Sequence, residues 1–199
     1  MSAGRRYGDV LILSATGGRR LAVACDSLGG IGPKPGDSVG VPGYVVGRFC
    51  SRVPLMELLA LEAEPLAVCC CLCVEPEPSG RDIMAGVLDE LRAAGLDRTV
   101  ALTGSTEKNV ATSQTGVGIT VVATVGRPRW DRARAGDVVL VVGEPKVGKA
   151  VSLESPAVAD IPTLRLALGH PASGDVAPVG SRGIAAEARK TSPPARGWS

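Results

Sequence analysis

The stretch Pro65-Leu-Ala-Val-Cys-Cys-Cys-Leu-Cys-Val74 decides the fold. It carries no charge and no polar break. Strands covered on both faces read this way, as near-continuous apolar runs of strand length. A helical pattern flanks it on each side. Residues 54–64 place Leu55, Met56, Leu58 and Leu59 on one stripe, with Pro54 at the position that suits a helix start. Ser79 stands ready to cap a helix over 80–94, where Ile83, Val87, Leu88 and Leu91 recur at helical spacing and Gly95 supplies the stop.

Further out the pattern turns to strands. Residues 10–13 and 21–25 bracket the turn Ala15-Thr-Gly-Gly18, and a loop rich in Gly and Pro follows from Asp26 to Asp37. Residues 99–102 lead into the turn Thr103-Gly-Ser-Thr-Glu107, and two more strands are expected at 117–125 and 137–142. The order β-β-α-β-α-β-β-β predicts an α/β (α+β) fold, a mixed sheet with helices packed on one face. After residue 151 the pattern weakens, with one helix expected within 180–190 and a polar tail, TSPPARGWS, over 191–199.

Composition excludes several classes. Of 199 residues, 45% are hydrophobic and 21% charged, the reverse of a disordered chain. Aromatics make up 3% and the net charge is +2, so base stacking and phosphate attraction are both unsupported, and no nucleic-acid partner is expected. The longest apolar run is about half the ~20 residues of a spanning helix. The run at 10–13 behind Arg5 and Arg6 is too short for a signal peptide. A cytoplasmic protein without a membrane partner is expected.

Six cysteines include the cluster Cys69, Cys70, Cys71 and Cys73. A disulfide framework spaces its cysteines apart, and a zinc site wants separated pairs, often with His, of which His170 is the sole example. Cys69, Cys71 and Cys73 would share one strand face. That row suits a soft metal or redox site, but thiols serving as small hydrophobes in a buried strand are the preferred reading. Another motif misleads. Gly143-Glu-Pro-Lys-Val-Gly148-Lys149-Ala150 nearly matches a phosphate loop, yet Ala150 has no hydroxyl for Mg²⁺ and the following residues make a poor helix.

The acids at strand ends carry more chemistry. Asp26 ends a strand, Glu107 lies just after another, and Glu57 sits in an apolar helix. A carboxylate near a core is costly unless paired or bound to a cation. Three such groups could hold Mg-ATP, since Mg²⁺ takes carboxylate and phosphate oxygens. Glycines 29, 30, 32, 104 and 116 would let backbone approach phosphates, and Thr103, Ser105, Thr106, Thr112 and Thr115 add hydroxyls. The alternative is that Glu57 faces solvent and the turns are merely turns.

Three stretches resemble the N-terminal domain of the aminoimidazole ribonucleotide synthetase (PurM-like) superfamily, which includes selenophosphate synthetase and thiamine-monophosphate kinase. Ala24-Cys-Asp26-Ser-Leu-Gly-Gly-Ile-Gly32 is similar to its strand-end Asp loop. Met56-Glu57-Leu-Leu-Ala-Leu-Glu-Ala-Glu-Pro65 is similar to its N-D-L-L-x-x-G-A-x-P helix. Leu102-Thr-Gly-Ser-Thr-Glu107, followed by Gln114-Thr-Gly-Val-Gly-Ile-Thr-Val, is similar to its G-G-[DE]-T loop and next strand. Residues 8–143 would form an ATP/Mg-binding domain. The wording of the Asp26 and Thr103 segments looks nearest to α-ribazole kinase-like proteins of cobalamin salvage.

The resemblance implies phosphoryl transfer from Mg-ATP to a small-molecule acceptor, in a homodimer whose sheets join across the partners. It implies metal held by Asp26, Glu57, Glu107 and Asp9. Nucleotide would meet Gly29, Gly30, Lys34, Thr103, Gly104, Ser105, Thr106 and Asn109. No general base is identified. Asp37 is a candidate, though turn capping is its stronger reading. The chain departs from the pattern at Glu57, where the family has Asp, and at Glu62, where it has Gly. Residues 144–190 resemble only the start of the family's second domain, so weak kinase activity, or a nucleotide-binding remnant without turnover, is the alternative.

Overall fold

The computed structural model describes residues 4–191. Its centre is a six-stranded mixed sheet. Strands β1 (Arg5–Tyr7), β2 (Val10–Ser14), β3 (Arg20–Gly29), β6 (Glu64–Leu72), β7 (Ala101–Thr106) and β8 (Gly116–Thr124) lie in the order β1-β2-β3-β8-β6-β7. Two short strands, β4 (Ile31–Gly32) and β5 (Val39–Gly40), pair in parallel beside it. β8 runs antiparallel to both β3 and β6, while β6 and β7 are parallel. Helix α1 (Gly43–Ala60) crosses from β5 to β6, and α2 (Arg81–Ala93) crosses from β6 to β7. Parallel neighbours need such a crossover.

Both helices cover one face. Ala22 and Ala24 of β3, Val68, Cys70 and Leu72 of β6, and Val117, Ile119 and Val121 of β8 are buried beneath them. Leu55 and Leu58 of α1 and Ile83, Val87 and Leu91 of α2 complete this core. The other face is bare. Cys25, Cys71 and Cys73 are exposed there and Cys69 is half-buried. The run at 65–74 is therefore the strand its composition predicts, but within one chain it is covered on one side only.

The expected elements need five corrections. β3 runs on to Gly29, so Asp26 lies inside the strand and not at its end. α1 begins at Gly43, so Pro54 lies inside the helix and not at its start. Proline in a helix interior removes one backbone hydrogen bond, and Pro54 is buried there. Ser79 makes no side-chain cap; Gly80 occupies the cap position of α2. The segment Thr103-Gly-Ser-Thr106 is not a turn but part of β7, paired with residues Cys69 to Leu72 of β6. Residues 137–142 form no strand and lie exposed, with Val138 at 92% and Leu140 at 82% accessibility. An extended segment becomes a strand only when a neighbour takes its backbone hydrogen bonds, and among the described residues no strand pairs with it.

The region after residue 125 is tied to this core. Ile161, in α3 (Ile161–Gly169), is fully buried within it. Asp160 caps α3 by accepting from the Thr163 N–H at 2.9 Å. Arg129 is buried and donates to the carbonyls of Leu168, Ser173 and Gly174 and to Glu62. The helix expected within 180–190 is α4 (Ile184–Thr191). Of the polar tail, 192–199 lies outside the described residues. Among the described residues no helix is long and apolar enough to cross a membrane.

Candidate functional site

Asp26 shares a face of β3 with the buried Ala22 and Ala24, so its carboxylate points under α1. Burial pushes its pKa up, partly offset by a bond from the Ser27 backbone. The β2–β3 register sets Leu11 opposite Val23. Gly8 and Asp9 form the tight turn between β1 and β2, next to Val10. Gly8 has φ +60, and a Cβ built on it would lie 3.9 Å from Glu57 Oε2 and 3.8 Å from the Trp130 ring. The tight turn before β2 thus brings backbone directly over the Glu57 carboxylate.

Glu57 is pushed up to about 7. Burial is the main cause, Asp9 and Glu187 repulsion follows, Lys190 opposes, and Asp26 adds a further push. Lys190 Nζ lies 2.9 Å from Glu187 and 3.8 Å from Asp9. So Asp9, Glu187 and Asp26 all repel the Glu57 carboxylate, and Lys190 opposes them. A cavity of about 10 Å³ adjoins it, lined by Tyr7, Glu57, Trp130, Pro178 and Glu187. That is room for about one water. From the sequence alone, Glu187 and Lys190 read only as solvated charge near the C-terminus. Their signal is an i,i+3 acid–base pair on a short helix, which sequence alone cannot dock.

Glu107 does not join this group within one chain. It follows β7, whereas Asp26 is on β3, and β8 and β6 intervene. Three strand spacings amount to roughly 14 Å. The Glu107 carboxylate instead accepts from the backbone N–H of Asn109 at 2.7 Å and of Val110 at 3.2 Å, which holds its pKa down.

The other nucleotide candidates lie near that end of the sheet and are mostly engaged. Lys34 is ion-paired with Glu75, which Thr112 also reaches. Gly30 donates its N–H to Thr115 and accepts from Ser38 and Val39, while Gly29 is paired in β3 opposite Gly116. Asp37 accepts from the N–H of Lys34 at 2.8 Å and from the N–H and hydroxyl of Thr115, each at 2.7 Å. These bonds outweigh its desolvation and lower its pKa. Asp37 is thus a clasp between two loops and not a free base. Thr103 and Ser105 face the bare side of β7, while Gly104 and Thr106 face the helices.

The oxygen donors Asp9, Asp26 and Glu57 have the chemistry Mg²⁺ prefers. Yet among the described residues no three carboxylate, thiol or imidazole groups converge to hold a metal ion. The near-match to a phosphate loop is closed as well. Its last residues, Gly148–Ala150, form one tight turn followed by extended chain and no helix.

No known family pattern and no curated protein matches this sequence. Solved structures resemble part of it. The tt0281 protein of Thermus thermophilus superposes with a TM-score of 0.49 at 19% identity, over 65% of this chain and 40% of that one. Thiamine monophosphate kinase from Aquifex aeolicus gives 0.46 at 15% identity, over 66% and 41%. PurLQS from Thermotoga maritima gives 0.43 at 15%, over 61% and 21%. This chain spans about two fifths of the first two proteins and about one fifth of the third.

Proposed function

We propose that this protein binds Mg-ATP and serves as a phosphotransferase toward a small-molecule acceptor, of the α-ribazole kinase-like kind that its motif wording resembles. The observation that carries the reading is the pair of partly desolvated carboxylates of Asp26 and Glu57, with the exposed Asp9 adding negative charge beside Glu57. Such groups favour a bound cation. Mg²⁺, when bound, would neutralise phosphate charge, which phosphoryl transfer mainly requires. Asp9, Asp26 and Glu57 would hold it, and hydroxyls at the ends of β7 and β8 would orient phosphates.

The same reading includes a homodimer and a second domain beginning near residue 144. The bare sheet face supports the dimer. Its central rows are Leu11–Val23–Val122–Ala67, Cys25–Thr120–Cys69–Thr103 and Ser27–Gly118–Cys71–Ser105, with no charge among them. A second copy laid on this face would cover the remaining half of β6. A nucleotide-binding protein without turnover is the second reading, favoured by the separation of Glu107 from Asp26.

Titration calorimetry of ATP with and without Mg²⁺, on wild type and Asp26→Asn, tests the proposal. Mg-dependent binding that is lost in the variant supports it. Binding unchanged by Asp26→Asn, or no binding by folded wild type, overturns it.

A further inference from the structure

We propose that the bare sheet face is a site of reversible thiol modification, at which Cys25, Cys71 and Cys73 form mixed disulfides with a small-molecule disulfide such as oxidised glutathione. All three thiols are exposed on that face, and Cys69 beside them is half-buried. Their neighbours leave them open. Cys71 lies in the row Ser27–Gly118–Cys71–Ser105, where a Cβ built on Gly118 would meet only the Cβ of Cys71, at 3.9 Å. A Cβ built on Gly116 would lie 3.1 Å from the Cβ of Cys73, so glycine there leaves that thiol its space. Cys25 and Cys69 flank Thr120 in an uncharged row. The two remaining thiols, Cys50 and Cys70, are buried on the helix side of the sheet, where burial pushes them up to about 12 and about 11. They stay protonated at neutral pH, and the thiolate is the form that attacks a disulfide.

Geometry denies these thiols a protein partner. A disulfide needs Cβ atoms about 4 Å apart and Cα atoms within about 7 Å. Cys69, Cys71 and Cys73 follow one another at every second residue, roughly 6.6 Å apart in extended chain. Cys25 and Cys69 are separated by Thr120 of β8, two strand spacings or roughly 9.5 Å. A second copy stacked on the face supplies no partner either. Stacked sheets lie about 10 Å apart, and Leu11, Val23 and Val122 on this face hold them there. A small disulfide has no such limit. The protein thiolate attacks one of its sulfurs, the sulfur–sulfur bond breaks, and a protein–glutathione disulfide forms. One glutathione leaves as a thiolate and takes up a proton, and excess reduced glutathione reverses the exchange. One consequence rests on the reading of this face as a dimer interface. A tripeptide with charged ends fills the gap between stacked sheets and sets unpaired charge in uncharged rows, which is strongly unfavourable. Modification and association therefore exclude one another, and each opposes the other to the same degree.

The test treats the reduced full chain with excess oxidised glutathione. Peptide mass spectrometry is expected to find adducts at Cys25, Cys71 and Cys73 and none at Cys50 or Cys70, and reduced glutathione is expected to remove them. Sedimentation is expected to show the modified dimer dissociating about a hundredfold more readily, the scale of an unpaired buried charge. The quadruple variant Cys25→Ser, Cys69→Ser, Cys71→Ser, Cys73→Ser is expected to stay dimeric under the same oxidant. Disulfides within or between chains in place of adducts, adducts spread equally to Cys50 and Cys70, or no adduct on the folded protein overturn the modification site. Adducts on a protein that stays dimeric, or a quadruple variant that dissociates with it, overturn the exclusion. A wild type that is monomeric before oxidation and still gains the adducts overturns the dimer reading and the exclusion with it, and leaves the modification site standing.

Discussion

At the scale of single residues, Glu62 and Glu57 show what the sequence discloses and what it withholds. Glu62 is visible as a departure from the glycine of the resembled motif, and the structure gives the reason that position favours glycine. Its φ is +59, and the bonds Glu62 N–H to Leu59 and Ala63 N–H to Leu58 close α1 through a left-handed residue. What the sequence hides is the compensation, the bond at 2.8 Å between Glu62 and the buried Arg129, which lies far along the chain. Glu62→Ala and Glu62→Gly both lose that bond, but only alanine keeps the strained backbone. Urea denaturation should find Glu62→Ala less stable than Glu62→Gly by about 1 kcal/mol. Glu57 sets a pH dependence. The folded chain holds it at about 7 against an ordinary 4.5, so the unfolded chain loses its proton first as pH rises. Its contribution to stability is complete below pH 4.5 and is lost as pH climbs to about 7. Glu57→Gln should match wild type in acid and exceed it in melting temperature at pH 8. A gap that does not widen with pH would refute the assignment.

At the scale of elements, the helix pair explains both a success and a miss. The stripe of α2 and its stop at Gly95 were legible because amphipathic spacing and a C-terminal glycine are local signals. Gly95 has φ +67 and closes the helix as expected. The first half of α1 was not legible, because Gly43, Gly47 and β-branched Val45 and Val46 lower helix propensity. Tertiary packing decides there. A Cβ on Gly47 would sit 2.0 Å from the Ile83 carbonyl oxygen, and one on Gly86 would sit 2.1 Å from that of Tyr44. The two helices touch backbone to backbone at these glycines. Arg48 and Arg52 of α1 then reach the buried Glu90 of α2 at 2.6 and 2.7 Å. An exposed helix glycine gains from alanine, but Gly47→Ala must push the helices apart. It should destabilise the protein by about 1–3 kcal/mol, as overpacking does, measured by thermal unfolding. A neutral result would mean that the helices have slack at this contact.

At the scale of the whole molecule, the α/β class and the helices on one face were legible from the order of patterns. Of the candidate acids, Asp9 and Asp26 act electrostatically on Glu57, while Glu107 lies elsewhere because strand order in a sheet is not sequence order. Among the described residues, the bare sheet face and the segment 138–142 are open apolar surfaces, and they call for different behaviour. The bare sheet face is uncharged in its central rows and built on paired strands, so a second sheet can pack on it. Residues 138–142 are apolar, exposed and in no strand, which suits indiscriminate strand pairing and not a defined partner. If the dimer uses the sheet face, a charge at its centre should abolish it. Thr120 lies between Cys25 and Cys69 in that centre, so Thr120→Lys should sediment as a monomer where wild type sediments as a dimer. The double variant Val139→Lys, Leu140→Lys should remain dimeric and lose only slow, concentration-dependent aggregation. The opposite pattern, with the dimer broken by the changes at 139 and 140 and kept by Thr120→Lys, would move the interface from the sheet face to the unpaired segment. The cysteine row would then be a surface feature that the apolar run at 65–74 carries for some reason other than burial.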